Sequence, residues 1–389
     1  MLSRIKALMY GIPFSFSMHM KREKSIWLFG AWFGKKYSDN SRCLYEYVLK
    51  DCPDIKAYWV THDSGIYKKL KTQGLPVVKS ISIKGFFLQL HASVAVYCTG
   101  SSDLMGRLLG GAVHINLWHG VGGGKKIGYD AGWFGSKFNE YITRIESQNE
   151  NNKYMLCTSE EMEKVFSSAF RIKKTQFIYA GQPRNDIFFD ENYNSKLLTI
   201  KKKIILYMPT HRQEGKKKIN CNRIFDLSRV ESFCKKNNCV FVIKKHYYHR
   251  AETENLKQYK HIYDWTTKNI DPNLMLLYSS CLVSDYSSVT ADYLLLNRPI
   301  FYYCYDINDY VHMDRELYWK YEDITPGPKV YSFEELLSSL KQVMEQKIDV
   351  YESERKRVRD MFYDPDKSQK KASPIIVDRI KEIIDINNI

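Results

Sequence analysis

The residues best suited to chemistry cluster where short apolar runs end. Val113-His-Ile-Asn-Leu leads into Trp118-His-Gly-Val-Gly-Gly-Gly-Lys-Lys126, so His119 follows the carboxyl end of a predicted strand. A histidine there can serve as a general base near neutral pH. The glycines beside it, Gly122 and Gly123 among them, let backbone N–H groups approach an anion, and Lys125 and Lys126 add positive charge. A lone histidine is more often structural; the glycine-rich turn and the paired lysines favour a base.

A second constellation is Cys281-Leu-Val-Ser-Asp-Tyr-Ser-Ser-Val-Thr-Ala-Asp292. The strand ends near Ser284 and a helix begins near Ser287 or Ser288, which offers unpaired N–H groups and two hydroxyls to a phosphate. Asp285 is placed to orient the turn. Asp292, about one helical turn on, is placed to meet a ribose hydroxyl. The plainer account is that Ser287 only caps a helix. Three more strand ends deliver cations or donors: Arg184 in Gln182-Pro-Arg-Asn-Asp186, Arg212 after Pro209-Thr210-His211, and His246 after Val240 to Lys245. These three suit a diphosphate, whose charge guanidinium and imidazolium groups neutralise in place of a metal. Arg184 alone could equally pair with Asp186 in a structural turn. No dense carboxylate cluster is present, so no metal and no tightly bound cofactor is expected.

The elements that must position these residues form an α/β pattern. Eleven short β-rich runs are expected. In the first half they are Ser25–Phe29, Ala57–Thr61, Ser93–Cys98, Val113–Leu117, Tyr154–Thr158 and Gln176–Tyr179. In the second they are Lys203–Met208, Val240–Lys244, Ile262–Asp264, Cys281–Ser284 and Ile300–Tyr303. They alternate with helical patterns, which indicates parallel sheets. A polar, lysine-rich passage from Asp190 to Lys203 serves as a link. The expected organisation is therefore two facing Rossmann-like domains, 1–190 and 200–345, with ligands bound between them beyond the carboxyl ends of the strands. A charged helical segment covers 349–389. The segment 1–24 mixes apolar residues with a basic cluster and is a candidate membrane-contacting element, with a helix packed on its own domain as the plainer account. Gly11 and Pro13 are expected to interrupt any long helix there.

Composition bounds the remaining choices. The chain has 389 residues, enough for two domains, and a net charge of +15 that fits nucleic acid, anionic lipid or a phosphate-rich substrate as partner, or a solvated basic surface, without choosing among them. Nine cysteines are scattered without a Cys-x-x-Cys pair, consistent with reduced core thiols. No apolar run approaches the length of a membrane span, and no signal peptide is evident, so a cytoplasmic location is expected.

In order along the chain, these segments resemble the CDP-glycerol glycerophosphotransferase family, the teichoic acid and capsule primases and polymerases. The resemblance rests on Trp118 to Asp130, Gly181 to Asp186, Tyr207 to Arg212, Asp285 to Ser288, Arg298 to Ile300, Tyr305-Asp306 and Glu322 to Pro328. It implies a GT-B-like fold and transfer of glycerol phosphate from CDP-glycerol to a hydroxyl of a cell-envelope polymer or lipid-linked primer, with release of CMP. It implies that His119 is the base, that His246 lies near the donor diphosphate, and that Ser287 and Ser288 hold donor phosphate. Thr210, with Arg184 and Arg212, falls in donor-side motifs. The implied location is peripheral, on the inner face of the plasma membrane, with a CDP-polyol donor, an anionic membrane surface and no nucleic acid as partners. CDP-ribitol is the alternative donor. A non-catalytic anion- or RNA-binding protein, or a membrane-docked assembly factor, is the alternative of another class. The chain departs from the family pattern at Val121-Gly-Gly-Gly124, one residue longer than usual, and at His246-Tyr247, where His-Pro is usual.

Overall fold

The computed structural model describes residues 2–121, 124–191, 193, 202–212, 218–246, 249, 256–307 and 316–387. The chain divides into two compact units: 1–119 with 127–189 and 363–389, and 120–126 with 190–362.

The first unit is built on a seven-stranded parallel sheet in the order β3-β2-β1-β4-β5-β6-β7. Its strands are β1 (Glu23–Phe29), β2 (Lys56–Thr61), β3 (Val77–Lys79), β4 (Ala92–Tyr97), β5 (Val113–Asn116), β6 (Lys153–Cys157) and β7 (Phe177–Tyr179). β4 is buried at every position, as a central parallel strand covered on both faces must be. The helices are α1 (Leu2–Met18), α2 (Asp39–Asp51), α3 (Ser64–Thr72), α4 (Ile83–His91), α5 (Lys137–Glu146) and α6 (Glu160–Phe170). Side-chain caps fix where several of them start: Asp63 accepts from the Ile66 N–H, Ser82 from Gly85 and Ser159 from Met162. Each cap is worth about 1 kcal/mol.

The second unit carries a six-stranded parallel sheet, β10-β9-β8-β11-β12-β13. Here β8 is Lys203–Tyr207, β9 Cys239–Ile243, β10 Ile262–Asp264, β11 Cys281–Ser284, β12 Ile300–Tyr303 and β13 Lys329–Val330. Helices α7 (Cys221–Ile224), α8 (Leu227–Lys236), α9 (Pro272–Tyr278) and α10 (Val289–Leu294) are followed by three more, Tyr321–Ile324, Phe333–Met344 and Glu352–Phe362. Two Rossmann-like parallel-sheet units make this a GT-B-like α/β chain, as the strand pattern and the resemblance imply.

All eleven expected strands are present within a residue or two at their ends. Two short ones, β3 and β13, were not expected. β13 follows Pro326-Gly327-Pro328. Gly327 packs its α-carbon so close to the Ile300 carbonyl that a Cβ would lie 2.2 Å from it, and this lets the Pro328 carbonyl accept the Tyr302 N–H at 3.0 Å.

The C-terminal segment 349–389 is not one piece. Helix Glu352–Phe362 belongs to the second unit, whereas helix Ala372–Ile386 belongs to the first. Ile376, Val377, Ile380, Ile383 and Ile384 lie at helical spacing and are buried with Trp27, Leu44, Tyr45 and Trp59 in one apolar cluster. Burying each such side chain stabilises by about 2 kcal/mol, enough to dock this helix on the first sheet. The polar passage expected as a link lies mostly outside the described residues.

The N-terminus also differs from expectation. α1 runs unbroken through Gly11 and Pro13. Tertiary contacts offset the lost proline N–H: Phe14 and Ser17 are fully buried, and Gly11 lies against Ile145 of α5. The opposite face exposes Met9, Ile12 and Phe16 at 62, 68 and 60%. Among the described residues no helix is long and apolar enough to cross a membrane.

Candidate functional site

His119 sits three residues past β5, and the path to it is set by side chains. The Asn116 carboxamide accepts the Trp118 N–H at 2.9 Å, and Trp118 takes a left-handed φ of 53°. The ring of His119 lies 4.1 Å, centroid to centroid, from Trp118 and 5.0 Å from Trp32. Its Nδ1 is 3.0 Å from the Cys98 carbonyl. A carbonyl only accepts, so Nδ1 carries the proton and Nε2 keeps its lone pair. Burial between the indoles pushes the imidazole pKa down; the Asp39 carboxylate and the Cys98 carbonyl work against this, and Arg184 works with it. Burial thus favours the neutral ring, with its proton on Nδ1.

A second layer holds this geometry. Asp39, itself at a left-handed φ of 68°, accepts from Trp32 Nε1 at 3.1 Å and from Arg184 Nη1 at 2.9 Å. Arg184 Nη1 also donates to the His119 carbonyl at 2.8 Å. Asn40 donates to the Trp118 carbonyl at 2.9 Å and accepts the Arg184 N–H at 3.2 Å. Asp103, wholly buried, accepts the backbone N–H groups of Phe33, Cys98 and Thr99 at 2.6 to 2.9 Å, tying the ends of β1 and β4 together. The alternative pairing of Arg184 with Asp186 is not the one found. Asp186 instead accepts the Ala372 and Ser373 N–H groups, capping the last helix. Trp32, Asp39, Asn40 and Asp103 were not singled out from sequence. The signal available was the position of Trp32-Phe33-Gly34 just past the carboxyl end of β1.

On the second unit, Asp285 knits the strand ends. Its Oδ1 accepts the N–H groups of Thr210 and Tyr286 at 2.8 and 2.7 Å, and its Oδ2 accepts Arg212 Nη2 at 2.8 Å. Arg212 also meets Asp306 through Nε at 2.7 Å and Nη2 at 3.0 Å, and donates to the Thr210 carbonyl. Burial works against its charge, but Asp285 and Asp306 outweigh that and hold the guanidinium above its ordinary range. Arg212, expected at the donor diphosphate, is thus buried between two carboxylates. Thr210 Oγ1 is buried and has no hydrogen-bond partner.

Ser287 and Ser288 lie where expected, before α10. Ser287 Oγ accepts the Val289 N–H at a long 3.4 Å, and Ser288 is exposed with no side-chain capping bond. Asp292, expected near a ribose hydroxyl, is 3% exposed in the packing of α10. His246, three residues past β9, is partly exposed, and its ring lies 5.0 Å from that of His211. Of the anion loop, Gly122 and Gly123 lie outside the described residues. Lys125 bridges Leu317 and the Lys126 N–H meets the Glu316 carbonyl, while Lys126 Nζ pairs with the Glu316 carboxylate at 2.5 Å. The loop is thus laced to 316–318 within the second unit. Among the described residues there is no group of three or more His, Cys, Asp or Glu placed to hold a metal.

Known proteins agree with this frame. The family model described as CDP-Glycerol:Poly(glycerophosphate) glycerophosphotransferase matches residues 12–382. The teichoic acid poly(glycerol phosphate) polymerase of Bacillus spizizenii is 29% identical over 359 residues, which is 87% of this chain and 89% of that protein. The teichoic acid ribitol-phosphate polymerase TarL of Staphylococcus aureus is 30% identical over 236 residues, 58% of this chain and 41% of its own length. The structure of the wall teichoic acid polymerase TagF shares the fold at a TM-score of 0.74 and 24% identity, over 98% of this chain and 97% of that one. A family match spanning nearly every element of both sheets decides the matter: the chain belongs to the CDP-glycerol:poly(glycerophosphate) glycerophosphotransferase family.

Proposed function

We propose that this enzyme transfers glycerol phosphate from CDP-glycerol to a hydroxyl of a teichoic acid-like polymer or lipid-linked primer, releasing CMP. The observation that carries the mechanism is the Nδ1 contact of His119 to the Cys98 carbonyl, which leaves Nε2 as the acceptor of a proton. His119 Nε2 takes the proton of the acceptor hydroxyl as its oxygen attacks the phosphorus bonded to glycerol. The bond from that phosphorus to the CMP oxygen breaks, and CMP leaves. Arg184 acts as a positioning residue through the His119 carbonyl rather than on the donor. Donor phosphates fall to His246, Ser287, Ser288 and the unsatisfied Thr210 hydroxyl, since a buried polar atom without a partner suits a site that a ligand completes. Arg212 fixes the loop that presents Thr210. Catalysis of this kind is mostly positioning and electrostatics.

Glycerol is favoured over ribitol as the polyol, because the match to the glycerol phosphate polymerase covers 87% of this chain and that to the ribitol enzyme 58%. The exposed Met9, Ile12 and Phe16 stripe of α1 supports a membrane surface as a further partner, and so a peripheral site of action on the cytoplasmic face. The test is CMP release from CDP-glycerol with a lipid-linked primer. His119→Ala is expected to lower turnover by about 10²- to 10⁴-fold with donor binding retained; unchanged turnover would remove His119 as the base.

A further inference from the structure

The edge of the first sheet carries a cleft that the transfer chemistry leaves unused. It measures about 870 Å³ and follows the short edge strand β3, with Leu75, Pro76 and Val77 contributing to an apolar floor. That volume is in the range of ligand-binding clefts. Lys56, Lys71, Lys79 and Lys84 line it, together with Tyr58 and Tyr67, and no aspartate or glutamate does. Lys84 Nζ stands 5.1 Å over the Tyr58 ring, and Lys71 and Lys79 stand 5.7 and 5.5 Å over Tyr67. Some lysines of this unit pair with carboxylates, as Lys381 does with Asp54 at 2.8 Å and Lys24 with Asp385 at 3.2 Å. Among the described residues the four cleft lysines form no ion pair.

Four cations gathered around one cleft without a counter-charge repel one another, and an anion there relieves that repulsion. The residue types narrow the anion. All four are lysines, point charges suited to phosphate, and the planar fork that arginine offers a carboxylate is absent. Lys71 and Lys79 share the Tyr67 ring while Lys84 stands over Tyr58, so the cleft offers more than one cationic position, which suits several single charges along a chain. The apolar floor and the tyrosine faces suit the carbon skeleton between those charges. β3 stands four strand spacings from β5, on the order of 19 Å, so a ligand in the cleft leaves His119 open.

We propose that this cleft binds a polyol phosphodiester chain, holding the part of the polymer already made. The proposal rests on the transfer reaction assigned above for the identity of the chain. The test uses fluorescently labelled poly(glycerol phosphate) with the full-length protein and with the triple variant K56Q/K71Q/K84Q, whose altered side chains are all exposed. Affinity for the long chain is expected to fall about tenfold, and the slope of log affinity against log salt is expected to drop by about 2. CMP release with a single-unit primer is expected to stay unchanged, while extension of long chains slows. Equal polymer binding by both proteins would overturn the proposal. So would loss of binding to phosphatidylglycerol vesicles with polymer binding intact, which marks a lipid-facing patch, or an equal loss of single-unit turnover. Failure of the transfer assignment looks different: the wild-type protein releases no CMP, yet the two proteins still differ in polymer binding.

Discussion

His119 is held by contacts that fix its tautomer and favour its neutral form. Because burial lowers its pKa, the acid limb of kcat/KM is expected below the ordinary histidine value of about 6.5. The sign follows from the proposed role: a base works in its neutral form, so activity is expected to be full above the folded pKa and lost as pH falls through it. Asp39→Asn removes an anion that opposes the depression and leaves Arg184 uncompensated, so the limb should move to still lower pH. A pH–rate profile that does not move would detach Asp39 from the base. Arg212 poses the opposite test. If it is the buried pin its two carboxylate partners indicate, Arg212→Ala should cost about 3–5 kcal/mol in urea unfolding. A stable variant with a raised KM for CDP-glycerol would return Arg212 to the donor itself.

At the scale of elements, the first unit depends on a helix that joins it from the far end of the chain. Ile380 is fully buried in the cluster with Trp27 and Trp59, so Ile380→Ala should cost about 2–5 kcal/mol. Thermal unfolding followed by tryptophan emission reads this directly, since both indoles line that core. A loss below 1 kcal/mol would mean that the helix is an ornament on the sheet. The same packing logic explains α1. Read alone, Gly11 and Pro13 end a helix; packed on α5, Gly11 gives close approach to Ile145, and the apolar contacts of Phe14 outweigh the missing N–H.

For the molecule as a whole, the net charge of +15 and the bare α1 stripe concern what the protein touches beyond its donor. The triple variant M9S/I12S/F16S should bind anionic vesicles several-fold more weakly in co-sedimentation while keeping CMP release on a water-soluble acceptor. Vesicle binding that survives this change would place the membrane contact on the basic surface alone.

Sequence by itself determined eleven of the strands and the residues that follow them. Apolar runs bounded by polar turns mark buried parallel strands, and a parallel sheet gathers its loops at the carboxyl ends, so the positions of His119, Thr210, Ser287 and His246 just past strand ends were legible, and their roles are proposals. The family pattern added the donor. What the tertiary structure decided was the job of each charged group. Arg184 and Arg212 look alike beside a strand end, but one pins the His119 carbonyl and the other lies between Asp285 and Asp306. Asp292 is buried in the packing of a six-residue helix, and Trp32, Asp39 and Asp103 meet the site through folds of the chain that no local spacing encodes. The physical reason is range: strand and turn preferences act over a few residues, whereas a carboxylate 145 positions away in the chain chooses the partner of Arg184.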